Sequence, residues 1–258
     1  MADRYVRVQS EGRQYYGVLG VNLAVQLLDA APWSGGKPKG ETLPPDSYSL
    51  LPPCEPQKII GIGKNYQAHA LEMGMEAPKE PIIFLKATSA LLPAHQPIVL
   101  PPQSTRVDYE GELALVIGQT CSHVEPDRAL PYIWGYTIAN DVTARDIQRK
   151  DGQWTRSKSF DTFCPLGPWI VRDISPTALL QTLLNDDSVP VQSETIDAMV
   201  FAPETIVSFI SHAMTLYPGD VILTGTPAGV GRLTGGDSIA IEIEGIGRLQ
   251  NPVIAGER

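Results

Sequence analysis

At 258 residues, 43% hydrophobic and 19% charged, the chain has the composition of an ordinary globular protein, long enough to bury a substantial core. Its formal net charge of −9 argues against a nucleic-acid backbone or an anionic membrane as partner. An anionic ligand would need a metal or a local cationic cluster to reverse that sign.

The opening MADRYVRVQS has no apolar run of the kind a signal peptide needs, and no stretch approaches the roughly 18 apolar residues of a membrane span. A cytoplasmic location is therefore expected. RYVRVQSEGRQYYGVLG reads as two strands around a glycine-containing turn, and VNLAVQLLDAAPW as a third strand or a short helix. The Pro- and Gly-rich stretch 35–57 reads as a linker between a small N-terminal module, residues 1–50, and a larger domain, residues 55–258. KIIGIG predicts a buried strand, and KNYQAHALEMGMEAPKEP a short helix running into a loop. IIFLK, PIVLP, VDYEGELALVI and IWGYTIAND predict further strands, followed by a helical TARDIQRKD. In APETIVSFISHAM, Ile206, Phe209, Ile210 and Ala213 stand at i, i+3, i+4 and i+7 behind Pro203, the pattern of an amphipathic helix. YPGDVILTG enters another strand, and SIAIEIEG alternates strictly. Strands dominate, so the expected class is α+β, mainly β, with a sandwich or barrel-like body. Cys54, Cys121 and Cys164 are odd in number and widely spaced, and read as buried thiols.

Three carboxylates lead into the apolar half of VDYEGELALVI. Alternation along a strand places Asp108, Glu110 and Glu112 on one face with Ala114 and Val116, and Tyr109, Leu113 and Leu115 on the other. Carboxylates about 7 Å apart on one face are costly beside an apolar sheet unless a positive charge lies between them. Asp141, ending the apolar run of GYTIAND, offers a third group at the start of a loop. An all-carboxylate set favours Mg2+, Mn2+ or Ca2+ over zinc; the plainer alternative is a solvated strand edge. A glycosidase pair is disfavoured, because side chains on one face of one strand cannot flank a bond from opposite sides.

If KNYQAHALEMG is helical, His69 and Glu72 at i and i+3 can touch, and the carboxylate then fixes the imidazole tautomer for proton transfer. The alternative is a surface pair of no consequence. GIGKNY lacks the spacing of a phosphate loop. Arg145 and Gln148 follow Asp141 on TARDIQ, and Lys158 lies in SKSF; they are substrate-binding candidates or solvated charges. TGTPAGVG, residues 224–231, offers backbone N–H groups to an anion, or is a tight turn.

Taken together, GKNYQAHALEMG, FLKATSAL, VDYEGELALVIG, GYTIANDVTARDIQ, KSFDTFCPLGPW and PGDVILTGTPAGVG resemble, in order, the fumarylacetoacetate hydrolase family over residues 55–250. Ala87 stands where many relatives have proline. The resemblance implies a mixed β-sandwich roll with a small N-terminal β module, a homodimer, and Mg2+ or Mn2+ (with Ca2+ as a substitute) held by Glu110, Glu112 and Asp141. It also implies a catalytic His69–Glu72 dyad on a lid spanning residues 69–80, with catalytic Lys158 and substrate-binding Arg145, Gln148 and Thr226 around a small anionic keto acid. The expected reaction is cleavage of an acylpyruvate such as fumarylpyruvate or acetylpyruvate to pyruvate and a carboxylic acid. Oxaloacetate decarboxylation or keto–enol tautomerisation at the same site are the alternatives, and a Ca2+-binding β module is the non-enzymatic one.

Overall fold

The computed structural model describes residues 3–74, 76–185 and 187–257. Strands β1 (Arg4–Ser10), β2 (Arg13–Leu19), β3 (Val25–Leu28), β4 (Pro38–Leu43) and β5 (Ser49–Leu51) build the N-terminal part. They enclose a small core of Val6, Val8, Leu19, Val25 and Leu27. The segment 25–28 is thus the strand of the two forms anticipated. The stretch 35–57, expected as a linker, instead carries β4 and β5, which pair with β3 and β1. β4 is almost wholly exposed, so its strand character comes from its partner rather than from apolar alternation.

The remaining elements are, in order, β6 (Ile59–Gly63), α1 (Gln67–Glu72), β7 (Ile82–Lys86), β8 (Leu91–Leu92), β9 (Ile98–Leu100), β10 (Val107–Tyr109) and β11 (Gly111–Ile117). Then come β12 (Ile133–Asn140), β13 (Thr143–Ala144), α2 (Arg145–Asp151), α3 (Thr155–Lys158), β14 (Cys164–Val171), β15 (Leu179–Leu184) and β16 (Gln192–Thr195). α4 (Pro203–Ala213), β17 (Val221–Leu223), β18 (Gly231–Arg232), β19 (Ser238–Ile243) and β20 (Gly247–Ala255) complete the fold. The main sheet runs β4-β3-β2-β1-β14-β12-β11-β17-β6-β7, so β1 ties the N-terminal strands to β14. A second sheet runs β16-β15-β19-β20-β9, and a small ribbon joins β13, β10 and β18. The architecture is mostly β, as expected from the sequence.

β11 lies at the centre and is buried on both faces, which suits its near-continuous apolar run. Leu113, Leu115 and Ile117 pack in one core with Ile206 and Ile210 of α4; Ala114 and Val116 pack in another with Ile59, Val221 and Leu223. The expected face assignment fails at one point. Tyr109 joins the core of Ala114 and Val116, not that of Leu113 and Leu115. The strand breaks at Glu110, where pairing passes from β13 and β18 to β12 and β17, and the alternation changes phase.

The buried side of α4 centres on Ile206, Val207 and Ile210, leaving Ala213 exposed. Ser211 is buried in its place because its Oγ accepts the Val124 N–H at 2.9 Å and its carbonyl accepts that of His123 at 2.9 Å. The three cysteines are free and buried, as expected. No helix among the described residues is long and apolar enough to cross a membrane.

Candidate metal centre and the cavity around it

The break in the strand is what builds the site. Glu110 donates its N–H to Asn140 Oδ1 at 3.0 Å, and its carbonyl accepts the Asp141 N–H at 2.8 Å. Gly111 pairs with Asn140 and Glu112 with Ala139. Two adjoining strand ends thereby bring three acidic side chains together. Oxygens of Glu110, Glu112 and Asp141 lie within 4.8 Å of one another, and all three residues are buried.

The glycine between the two glutamates has a steric reason. A Cβ at Gly111 would lie 2.4 Å from Thr182 Oγ1 and 3.2 Å from Gln192 Oε1. Thr182 Oγ1 and Gln192 Oε1 fill that space together: Gln192 Oε1 accepts from the Gly111 N–H at 3.0 Å and the Thr182 hydroxyl at 2.8 Å. Its Nε2 donates to Thr226 Oγ1 at 2.8 Å and Pro227 O at 2.9 Å. Gly111→Ala is expected to cost about 1–3 kcal/mol through overpacking and to weaken divalent-cation binding. An unchanged urea midpoint would show that Thr182 and Gln192 yield without cost.

Charge balance in this buried group is uneven. Lys158 Nζ donates to Glu110 Oε2 at 2.7 Å and Asp141 Oδ2 at 2.5 Å, and Lys86 Nζ donates to Asp141 Oδ1 at 2.6 Å. Arg145 spends Nε on Asp108 (2.9 Å), Nη2 on Glu110 (2.5 Å) and Nη1 on Gln148 Oε1 (2.8 Å). Asp108, which on the strand pattern belonged with the glutamates, therefore serves Arg145 and Arg106 instead. Glu112 has no ion pair among the described residues; it accepts the Gly225 N–H at 2.7 Å.

The protonation equilibria follow this asymmetry. Burial opposes ionisation of Glu110, but Lys158, Arg145 and His69 outweigh it and hold the carboxyl well below its usual range. Burial, reinforced by the charges of Asp141 and Glu110, pushes Glu112 well above that range. Burial likewise disfavours the charged form of Lys158, yet Asp141 and Glu110 reverse this and keep it an ammonium. A buried carboxylate lacking a counter-charge, next to two more, fits a hard divalent cation with oxygen ligands. The Glu110, Glu112, Asp141 group thus fits a metal site.

On the other side of the cavity, α1 presents His69, itself only 5% exposed, with Nδ1 3.3 Å from Glu72 Oε2. Glu72 also accepts the Gly229 N–H at 3.1 and 3.2 Å. Loop 224–231 does present N–H groups to carboxyl oxygens, but they are the chain's own: Glu112 at Gly225 and Glu72 at Gly229. Of the segment expected as a lid, residues 69–80, position 75 lies outside the described residues. Phe84 and Trp154 form an apolar wall, with ring centroids 5.4 Å apart, and Lys158 Nζ sits 4.9 Å above Phe84.

All nine residues singled out from the sequence line one cavity of about 340 Å³: His69, Glu72, Glu110, Glu112, Asp141, Arg145, Gln148, Lys158 and Thr226. Three of those expected at the substrate are engaged by the chain itself. Arg145 and Lys158 brace the carboxylates, and the Thr226 hydroxyl donates to Gly111 O at 2.9 Å while accepting from Gln192. Lys86 and Gln192 were not anticipated. A lysine closing the apolar run IIFLK was a signal that a buried partner awaited it; Gln192, in a polar stretch, gave none.

Fold and site together define a β-rich roll with an acidic, oxygen-lined centre facing a His–Glu pair. Residues 58–254 match the family described as Fumarylacetoacetate (FAA) hydrolase C-terminal, and residues 3–53 match that described as Rv2993c-like, N-terminal. The chain belongs to the fumarylacetoacetate hydrolase family. It is 55% identical over 199 residues to an uncharacterized protein of Methanocaldococcus jannaschii, covering 77% of this chain and 84% of that one. It is 43% identical over 216 residues to the human mitochondrial oxaloacetate tautomerase FAHD2A, covering 80% and 69%. The crystal structure of 2-hydroxyhepta-2,4-diene-1,7-dioate isomerase from Mycobacterium marinum superposes with a TM-score of 0.91 at 40% identity, covering 100% of both chains.

Proposed function

We propose that this chain is a divalent-metal-dependent enzyme that interconverts the keto and enol forms of a small 2-oxo acid of the oxaloacetate type. The observation that carries this reading is the placement of the His69–Glu72 pair in the same cavity as Glu110, Glu112 and Asp141. The named relatives support it, one being an oxaloacetate tautomerase and another an isomerase of a 2-hydroxy dienedioate.

Glu110, Glu112 and Asp141 would hold Mg2+ or Mn2+, which supplies Lewis-acid polarisation of the 2-oxo group when bound. The chain's own residues handle the proton. With Nδ1 turned to Glu72, His69 has Nε2 as the atom that takes a proton from C3 and returns it to the C2 oxygen. Lys158 has three N–H donors, two of them committed to Glu110 and Asp141, so one remains for a substrate oxygen. Gln148 Nε2 is a second donor, since Arg145 occupies only Oε1. The ammonium state of Lys158 suits it to donate rather than to act as base.

A second reading, cleavage of an acylpyruvate to pyruvate and a carboxylic acid, is favoured by the same dyad, because an imidazole oriented by a carboxylate can also deprotonate water. Oxaloacetate, acetylpyruvate and fumarylpyruvate, each with Mg2+, Mn2+ or chelator, separate the readings when enol absorbance, pyruvate and carbon dioxide are followed independently. Metal-dependent equilibration of enol absorbance without pyruvate release is the expected result. Stoichiometric pyruvate from the acylpyruvates would replace it with hydrolysis, and carbon dioxide from oxaloacetate with decarboxylation. In the same samples, Mn2+ at 100 times its Kd is expected to stabilise the fold by about 2.7 kcal/mol, read as a rise in Tm; no shift would remove the metal from the site.

A further inference from the structure

Most cations around the cavity are already spoken for. Lys158 is bonded to Glu110 and Asp141, Arg145 to Asp108, Glu110 and Gln148, and Lys64 also has a partner within the chain. Arg149 differs. It lines the same cavity, is exposed, and its guanidinium makes no hydrogen bond or ion pair with any described residue. A long side chain held beside a cavity without a partner has its five donors available to a ligand.

Its position on α2 is informative. Arg145 and Arg149 are i and i+4, hence on one face of the helix and about 6 Å apart along its axis. Arg145 marks the inner end, in contact with Glu110, while exposed Arg149 stands one turn outward at the mouth. Ile62, Phe84 and Trp154 supply apolar lining to the same cavity. A ligand anchored at the acidic centre by its 2-oxo acid end would have this exposed cation within the same cavity for its far end.

We infer that Arg149 is a specificity-determining residue that receives the second carboxylate of a dicarboxylic 2-oxo acid, an assignment that rests on the keto–enol reading of this cavity. With a net charge of −9 on the chain, a local cation at the second carboxylate favours entry of a dianionic ligand. The planar guanidinium can meet a carboxylate through two parallel N–H bonds, which a lysine cannot reproduce.

Fumarylpyruvate and acetylpyruvate form the test pair: both carry the 2,4-dioxo acid unit, and only the first has a distal carboxylate. In Arg149→Met, which keeps an apolar stem, the ratio of kcat/KM for fumarylpyruvate over acetylpyruvate is expected to fall roughly ten- to hundred-fold, the scale of a lost charged hydrogen bond. The loss should lie in KM, and Arg149→Lys should recover part of it. A ratio unchanged in Arg149→Met, or an equal fall on both substrates, overturns the assignment. Calorimetric Kd values for the same two acids on Mn2+-loaded protein carry the same ratio. The role of Arg149 is thus read even if wild-type turnover proves hydrolytic, an outcome that sinks the tautomerase reading alone.

Discussion

Asp141→Ala is expected to abolish metal-dependent activity and to destabilise the fold by about 3–5 kcal/mol, the cost of leaving a buried charge without its partner. Asp141 is fully buried and accepts from two lysines on separate elements, Lys86 at 2.6 Å and Lys158 at 2.5 Å. Without it, Lys158 keeps Glu110, but Lys86 is left with the Val142 carbonyl at 3.4 Å. Against a total stability of about 5–15 kcal/mol for an ordinary domain, this is a large fraction. Asp141→Asn separates the two effects, since it preserves shape and one oxygen while losing the charge. It should recover part of the urea midpoint while failing to restore the Mn2+-induced rise in Tm. Full stability and most of the activity in Asp141→Ala would show that the two lysines do not depend on this carboxylate.

His69→Ala should behave in the opposite way. His69 bonds to none of the three acidic groups, so the thermal response to Mn2+ should persist. Proton transfer should slow by roughly 10²–10⁴-fold, the usual scale for a positioned general base. Enol absorbance followed at saturating metal checks this directly. An unchanged rate would mean that another group moves the proton, and the pairing with Glu72 would then be architectural.

How far the chain could be read before its fold was known is clearest at particular residues. The helix at 67–72 and the strand KIIGIG followed from local pattern, since spacing within a few residues decides both. The gathering of nine named side chains around one cavity was accessible because ordered motifs, rather than any single residue, pointed there. What escaped depends on contacts distant in the chain. Gln192 acts on Gly111 across 81 positions, and Lys86 on Asp141 across 55. The phase change at Glu110 arises because different strands claim the two halves of VDYEGELALVI, and local periodicity carries no record of its neighbours. β4 escaped for a related reason: a solvent-facing edge containing Pro38 and Lys39 has no buried face to leave a period-two trace.

Glu72 gives the molecule an interlock. One carboxylate both steadies the imidazole and fastens its helix to the backbone of Gly229. Swinging that helix outward would undo the Gly229 attachment and carry the His69–Glu72 pair, still joined, away from the carboxylates, so an ajar entrance would also be an unarmed one. A keto acid would meet the imidazole beside the acidic centre only with that helix seated, which would limit stray turnover of passing solutes.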